Sequence, residues 1–268
     1  MHHKTLADMY HQMLIDVYDT PQYISAPRGQ EIRERVNTTY VLTDPTSNMF
    51  VNAIRSVPKR YIAGELKWYF SGSKELADII DYSKFWSFIA NEDKTLNSAY
   101  GHLLFKKLNP AGWTQWEWAY NSLVMDKDSR QAIMYFGGPD YQYSENKDFV
   151  CTSFGQFMIR DNKLHFHVTM RSNDLIKGTT FDIPFFTMLQ QNMLLLLKEH
   201  HPELQLGYYY HNAISLHIYG NDFELVNNML DHEFREDRLP VLTDLMVDHV
   251  GNYMGRDTEL LKFIEQHG

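Results

Sequence analysis

The chain holds a single cysteine, Cys151, and a lone thiol is either a small buried hydrophobe or a nucleophile. Its neighbours bear on the choice. Residues 148–160, DFVCTSFGQFMIR, and residues 163–172, KLHFHVTMRS, are two β-rich runs around Asp161-Asn162, a pairing that predicts a hairpin with a two-residue turn. If Arg160 faces Lys163, opposed residues share one index sum, and Cys151 falls opposite Ser172 and diagonal to Arg171. Facing Cβ atoms in such pairs lie about 5 Å apart. A thiol beside a hydroxyl and a guanidinium has its thiolate favoured, unless a bulge shifts the register. His165 and His167 alternate on the second run and could share a face as metal ligands, but no third ligand stands at suitable spacing, so no metal site is expected. His200-His201 suit a helix C-terminus, where imidazole complements the dipole. The clusters WTQWEW and YYYHN read as core and helix packing, and no glycine-rich phosphate loop is present.

These residues need elements to place them. Leu6, Met9, Met13, Leu14 and Val17 recur at helical spacing over residues 4–18. Residues 19–36, with Pro21, Pro27, Arg28 and Gly29, read as a loop, followed by a strand-like NTTYVL. A helix runs from Arg60 and stops at Gly72, and another covers Trp113 to Met125. After the hairpin come a long apolar helix over residues 182–199 and a strand over Tyr208–Tyr219. The pattern is α+β with at least one antiparallel pair, in one domain spanning residues 1–268, since no linker or repeat interrupts it.

Composition narrows the partners. Of 268 residues 44% are hydrophobic and 22% charged, the balance of a globular chain. With 34 acids against 25 bases the net charge is −9, which repels a phosphate backbone and excludes a general nucleic-acid binder. One cysteine makes no internal disulfide, favouring a reducing, cytoplasmic setting. No signal-peptide core or membrane-length apolar run is present.

Residues 171–182, RSNDLIKGTTFD, follow the cysteine by twenty positions. With it they resemble the thymidylate synthase family, whose motif reads Arg-Ser-x-Asp-x-x-x-Gly-x-x-Phe-Asn. Further matches keep the family's order: Glu65 in GELKWYFSG, Trp86, Tyr100-Gly101, Asp128-Ser129-Arg130 and Ser215-Leu216-His217-Ile218-Tyr219. Together they span roughly residues 28–220.

One departure bears on specificity. The family's pyrimidine-binding asparagine falls on Asp182. An amide offers one donor and one acceptor, matching N3–H and O4 of uracil. A carboxylate accepts from N4 of cytosine and shares a proton with N3. Against uracil it sets acceptor against acceptor, a buried mismatch of about 1–3 kcal/mol. The same change marks the deoxycytidylate hydroxymethylases within the family, which Cys-Thr, Met-Arg-Ser-Asn-Asp and Ser-Leu-His-x-Tyr also resemble. As the plain alternative, Asp182 is a helix N-cap.

The resemblance implies a fold with a large mixed β-sheet flanked by helices, and a homodimer formed through that sheet. It implies hydroxymethylation of deoxycytidylate (dCMP) at C5 with 5,10-methylene-tetrahydrofolate as cofactor. Cys151 is then the nucleophile, Glu65 the general acid/base supported by Tyr100, and Asp182 the group holding N3 and N4. Arg28, Arg171 and Ser172 hold the phosphate with Arg130 of a second subunit, and His217 and Tyr219 hold the 3′-hydroxyl. Trp86, Asp174 and Gly178 serve the folate. Thr152 replaces the family's histidine after the nucleophile, and Gln131 stands where many relatives have arginine, leaving one phosphate contact open. The C-terminal LLKFIEQHG differs from the short apolar segment that closes family sites, and a less sealed site suits capture by water. A reductive methylase, a ribonucleotide (CMP) hydroxymethylase and a non-catalytic nucleotide-binding module are the other readings.

Overall fold

A computed structural model describes residues 1–268. In chain order the elements are β1 (His2–His3), α1 (Leu6–Tyr18), β2 (Tyr23–Ser25), β3 (Ile32–Leu42), β4 (Met49–Asn52), α2 (Lys59–Ser71), α3 (Phe85–Ile89), α4 (Tyr100–Phe105), α5 (Gln115–Met125) and β5 (Ile133–Tyr135). There follow β6 (Thr152–Arg160), β7 (Lys163–Met170), β8 (Asn173–Asp174), α6 (Thr180–Leu197), β9 (Gln205–Tyr219), α7 (Phe223–Leu230), β10 (Phe234–Asp237) and α8 (Thr258–His267).

Helix boundaries follow local chemistry. The Thr5 hydroxyl accepts from the Asp8 amide at the start of α1, and Thr114 does the same from Glu117 for α5. Gly72 ends α2 at φ 72°, a left-handed turn that suits glycine. Between β6 and β7, Asp161 and Asn162 both take positive φ, the signature of the expected tight hairpin.

An eight-stranded mixed sheet forms the centre, in the order β1-β3-β9-β7-β6-β5, with β2 added beside β3 and β8 beside β9. β7 and β9 run parallel, while β3–β9, β6–β7 and β5–β6 are antiparallel. Helix α6 is buried around almost its whole circumference, from Ile183 and Phe186 to Leu197, as expected of a helix covering a sheet. Pro184 lies inside this helix, at its fifth residue, and lacks the amide that would donate to the Thr180 carbonyl. Alternate residues of β6, β7 and β9, such as Phe157, Phe166 and Tyr209, face this core. The opposite face carries Gln156, Met158, His167 and Tyr210 around a shallow groove. No helix is long and apolar enough to cross a membrane.

Two expectations change. Residues 19–36 are not all loop, because β2 lies in them and β3 begins at Ile32, pairing with β9 through to Tyr209. The charged run IRERV hides this strand, and Arg33 shows why it is tolerated. Its guanidinium lies 4.3 Å from the Tyr18 ring centre and 4.5 Å from that of Phe223, and it donates to the Tyr18 carbonyl. The hairpin register also slips. Arg160 does face Lys163, but an irregularity between Thr152 and Phe154 pairs Thr152 with Met170. Cys151 therefore lies beside Arg171, whose amide donates to the Cys151 carbonyl at 2.9 Å, and not opposite Ser172.

Candidate active site

Adjacent strand ends assemble the site. Cys151 leads into β6, and Arg171 and Ser172 join β7 to β8. In β8, Asn173 pairs with Leu216 and Asp174 with His217. His217 and Tyr219 in turn face Glu34 and Ile32 of β3. The Gly220 amide donates to the Glu31 carbonyl, tying the Pro27–Gly29 turn that carries Arg28 to this end of the sheet. Strand neighbours are about 4.8 Å apart, so Cys151, Arg171, Ser172, Asp174, His217 and Tyr219 form one strip.

The Arg171 side chain is bound to the loop that carries Cys151. Arg171 Nε donates to the Val150 carbonyl at 2.9 Å and Nη2 to that of Phe149 at 2.6 Å, with the guanidinium 4.5 Å from the Phe149 ring centre. Nη2 is also 3.9 Å from Cys151 Sγ. The guanidinium lowers the thiol's pKa, but burial outweighs it and pushes the thiol up to about 11. This reverses the expectation of a favoured thiolate: the resting side chain is a thiol, because desolvation of the charged form wins over one partly exposed cation.

Two carboxyls lie near the strip, Glu65 buried and Asp182 half-buried. Glu65 accepts from Tyr61 Oη at 2.7 Å, and Tyr61 Oη accepts from Trp86 Nε1 at 3.0 Å. Burial pushes Glu65 up to about 8, with the nearby Asp182 charge adding to it. Asp182 Oδ2 accepts from Asn173 Nδ2 at 2.9 Å. Burial lifts Asp182 to about 7 against that bond. Gly178 lies against this pair, and a Cβ there would stand 3.0 Å from Asn173 Nδ2 and 3.2 Å from Asp182 Oδ2. Tyr100, stacked on Tyr69, accepts at its hydroxyl from Thr152 Oγ1 at 2.8 Å. Thr152, which stands where the family has histidine, thus ties Tyr100 to the strand that begins next to Cys151.

The other expected residues lie partly in the strip and partly away from it. Asp174 Oδ1 accepts from the Ile176 and Lys177 amides and caps the turn leading into α6. His217 is buried and its pKa lowered by desolvation, with Asp174 opposing; its Nδ1 is 3.3 Å from Ser215 Oγ, itself bonded to Glu34. Tyr219 meets His217 edge-on. Arg28 is exposed on its turn, in the left-handed region at φ 54°. Arg130 does not join the strip. Its carbonyl accepts from Gln156 Nε2, five residues along β6 from Cys151 and so about 16 Å away. The Gln131 carbonyl accepts from Trp118 Nε1. His165 Nδ1 accepts from the Tyr208 amide and His167 stacks on Tyr210. His200 meets the Tyr120 hydroxyl of α5, just past the end of α6. Helix α8 packs on α2 through Leu260, Phe263 and Ile264.

The sequence reading passed over Tyr61, Asn173 and His211. Tyr61 left a signal, four residues before Glu65 on one helix face, and Asn173 stands within the Met-Arg-Ser-Asn-Asp run; His211 reaches the site through its contact with the Asn173 side chain.

The family model for thymidylate synthase matches residues 8–263. The chain belongs to the thymidylate synthase family. It is 33% identical over 175 residues to the deoxycytidylate 5-hydroxymethyltransferase of Enterobacteria phage T6, covering 63% of this chain and 70% of that protein. Identity to the enzyme of that name from phage T4 is 31% over 200 residues, 72% of this chain and 77% of the other. A deoxyuridylate hydroxymethyltransferase of Bacillus phage SP01 is 25% identical over 236 residues, 82% of this chain and 60% of the other. The thymidylate synthase family transfers one-carbon units from methylene-tetrahydrofolate to pyrimidine nucleotides, and the chain is an enzyme of that class.

The residues fit such a folate. Trp86, Tyr61 and Phe181 make an aromatic edge beside Glu65, continued by the exposed Phe85 and Phe88, which suits a flat pterin and its benzoyl ring.

Proposed function

We propose that this enzyme hydroxymethylates dCMP at C5 through a covalent adduct between Cys151 and C6. The observation that carries the reading is the carboxyl of Asp182, half-neutralised near pH 7 where its relatives in the wider family hold an amide. A neutral carboxyl presents one O–H and one C=O, the complement of the N3 and N4 edge of cytosine.

In this reading Arg171, Ser172 and Arg28 hold the phosphate and His217 with Tyr219 the 3′-hydroxyl. Arginine's planar fork suits the phosphate. Cys151 Sγ adds to C6 as thiolate, and the electron pair of the C5–C6 bond moves toward C5. Asp182 steadies the charge that spreads to N3 and N4. When bound, methylene-tetrahydrofolate supplies a carbon at the oxidation level of formaldehyde. For C5 to receive that carbon, its two bonds to the folate nitrogens would be exchanged for one to C5 and one to a water oxygen, with the C5 proton lost and tetrahydrofolate released, after which the C6–S bond breaks and the thiolate returns. Glu65, held by Tyr61, relays protons and orders water, while Tyr100 and Thr152 support it. Trp86, Asp174 and Gly178 border the folate's place.

A homodimer through the open sheet face supplies the missing phosphate ligand. Arg130 is bonded to Gln156 on that face and is remote from its own Cys151, as required of a residue that serves a partner's site. Sedimentation at a dimer's mass supports this arrangement, and a monomer at catalytic concentrations refutes it.

The deciding experiment is a mass spectrum of the nucleotide after incubation with dCMP, dUMP or CMP and methylene-tetrahydrofolate. Hydroxymethyl-dCMP is expected. Methyl-dCMP, with dihydrofolate absorbance rising during turnover, would identify a reductive methylase instead.

A further inference from the structure

Behind Asp182 a line of buried polar groups crosses from β9 to α6. Tyr209 Oη lies 3.0 Å from His211 Nδ1, and His211 Nε2 lies 2.9 Å from Asn173 Oδ1. Thr179 Oγ1 donates to the same Asn173 oxygen at 2.5 Å, and Asn173 Nδ2 donates to Asp182 Oδ2. All the side chains behind the carboxyl, Tyr209, His211, Asn173 and Thr179, are buried.

We propose that this chain of hydrogen bonds fixes which oxygen of Asp182 carries a proton, and thereby makes the carboxyl read cytosine in preference to uracil. The inference rests on the dCMP reading of the site and deepens it. The chain has one direction. His211 is neutral, its pKa lowered to about 4 by burial, so it carries one ring proton. Nε2 faces the Asn173 amide oxygen, which only accepts, so the ring proton sits on Nε2 and Nδ1 accepts from the Tyr209 hydroxyl. With two donors on its oxygen, the amide turns its NH2 to Asp182. An oxygen that accepts an amide N–H is held as the C=O or O⁻ end, so the carboxyl proton resides on Oδ1. Gly178 leaves no slack, since even a methyl there would press on Asn173 and Asp182.

The two bases differ at this edge by an exchange of donor and acceptor: cytosine has N4–H and N3, uracil O4 and N3–H. A carboxyl whose proton can sit on either oxygen pairs with both. One whose proton is fixed pairs with only one of them. Asn173, His211 and Tyr209 are thus positioning residues that act through Asp182.

The test measures kcat/KM for dCMP and dUMP, and the affinity for each nucleotide without folate, in purified full-length Asn173→Ala, His211→Leu and His211→Gln. Expected is a fall in the dCMP:dUMP ratio of about tenfold in Asn173→Ala and His211→Leu, with partial recovery in His211→Gln, whose amide keeps a donor. If the ratio stays at the wild-type value while both substrates weaken equally, the chain is only structural and the proposal fails. If wild type itself shows no preference for dCMP, the reading of Asp182 fails first, and the inference with it. Affinities in the absence of turnover keep the ratio readable for any variant that loses activity, and thermal melting identifies one that has lost its fold.

Discussion

Arg171 grips the loop of Cys151 from both its ends: its amide donates to the Cys151 carbonyl at 2.9 Å while its guanidinium reaches Sγ at 3.9 Å and the Phe149 carbonyl at 2.6 Å. One residue therefore sets both where the thiol stands and how readily it ionises. With the thiol at about 11, roughly one part in a thousand is thiolate at pH 8. Alkylation of Cys151 in the free enzyme should be slow at pH 7 and rise about tenfold per pH unit up to pH 10. Arg171→Gln should slow it further at every pH below the thiol's pKa. Rapid, pH-independent labelling at pH 6–8 contradicts a protonated resting thiol.

Asp182→Asn restores the amide of the wider family and removes the mismatch against uracil. The relative kcat/KM should move toward dUMP by about 5–150-fold, the equivalent of about 1–3 kcal/mol. Equal kinetics for the two nucleotides before and after substitution remove the argument for cytosine.

Glu65 is protonated below about pH 8 because burial penalises its charge, and the Tyr61 hydroxyl partly relieves that penalty. Tyr61→Phe removes the bond, so the alkaline limb of the kcat/KM profile should shift to higher pH. Trp86→Phe, which loses only the indole donor to Tyr61, should shift it less. An unmoved limb in both variants assigns the titration to another group.

The same burial predicts a stability effect. The unfolded carboxyl ionises near 4.5 and the folded one near 8, so wild type loses stability as pH rises between those values and no more above them, about 1.4 kcal/mol for each unit separating them. Glu65→Gln carries no charge to bury. Its melting temperature relative to wild type should be higher at pH 9 than at pH 4, even as turnover falls by at least a hundredfold. A constant difference across that range means Glu65 is solvated.

Gly178→Ala tests the tight approach behind Asp182. The added methyl would meet Asn173 Nδ2 at 3.0 Å and Asp182 Oδ2 at 3.2 Å, so one of the pair must move. Overpacking of this kind costs about 1–3 kcal/mol. We expect a modest drop in melting temperature and a tenfold or larger loss of kcat/KM for dCMP; unaltered kinetics would mean the pair has room to spare.

Much of this was written in the chain. The apolar spacing of Leu6 to Val17, the stop at Gly72 and the Asp161-Asn162 turn are local signals, because helix and hairpin geometry depend on neighbours a few residues away. The motifs that carry Glu65, Cys151, Arg171, Asp182 and His217 were equally legible, being ordered residue types at family spacing. What stayed hidden is what neighbours in space decide. The strand beginning at Ile32 is stabilised by Arg33 over Tyr18 and Phe223 and by pairing with β9, whose partner residues, from Tyr219 back to Tyr209, lie far along the chain. A one-residue irregularity near Ser153 exchanged Ser172 for Arg171 beside Cys151. The ionisation of Cys151, Glu65 and Asp182 depends on depth, and depth is a property of the whole fold: the sequence names a thiol and two carboxyls, and only burial raises the pKa of all three.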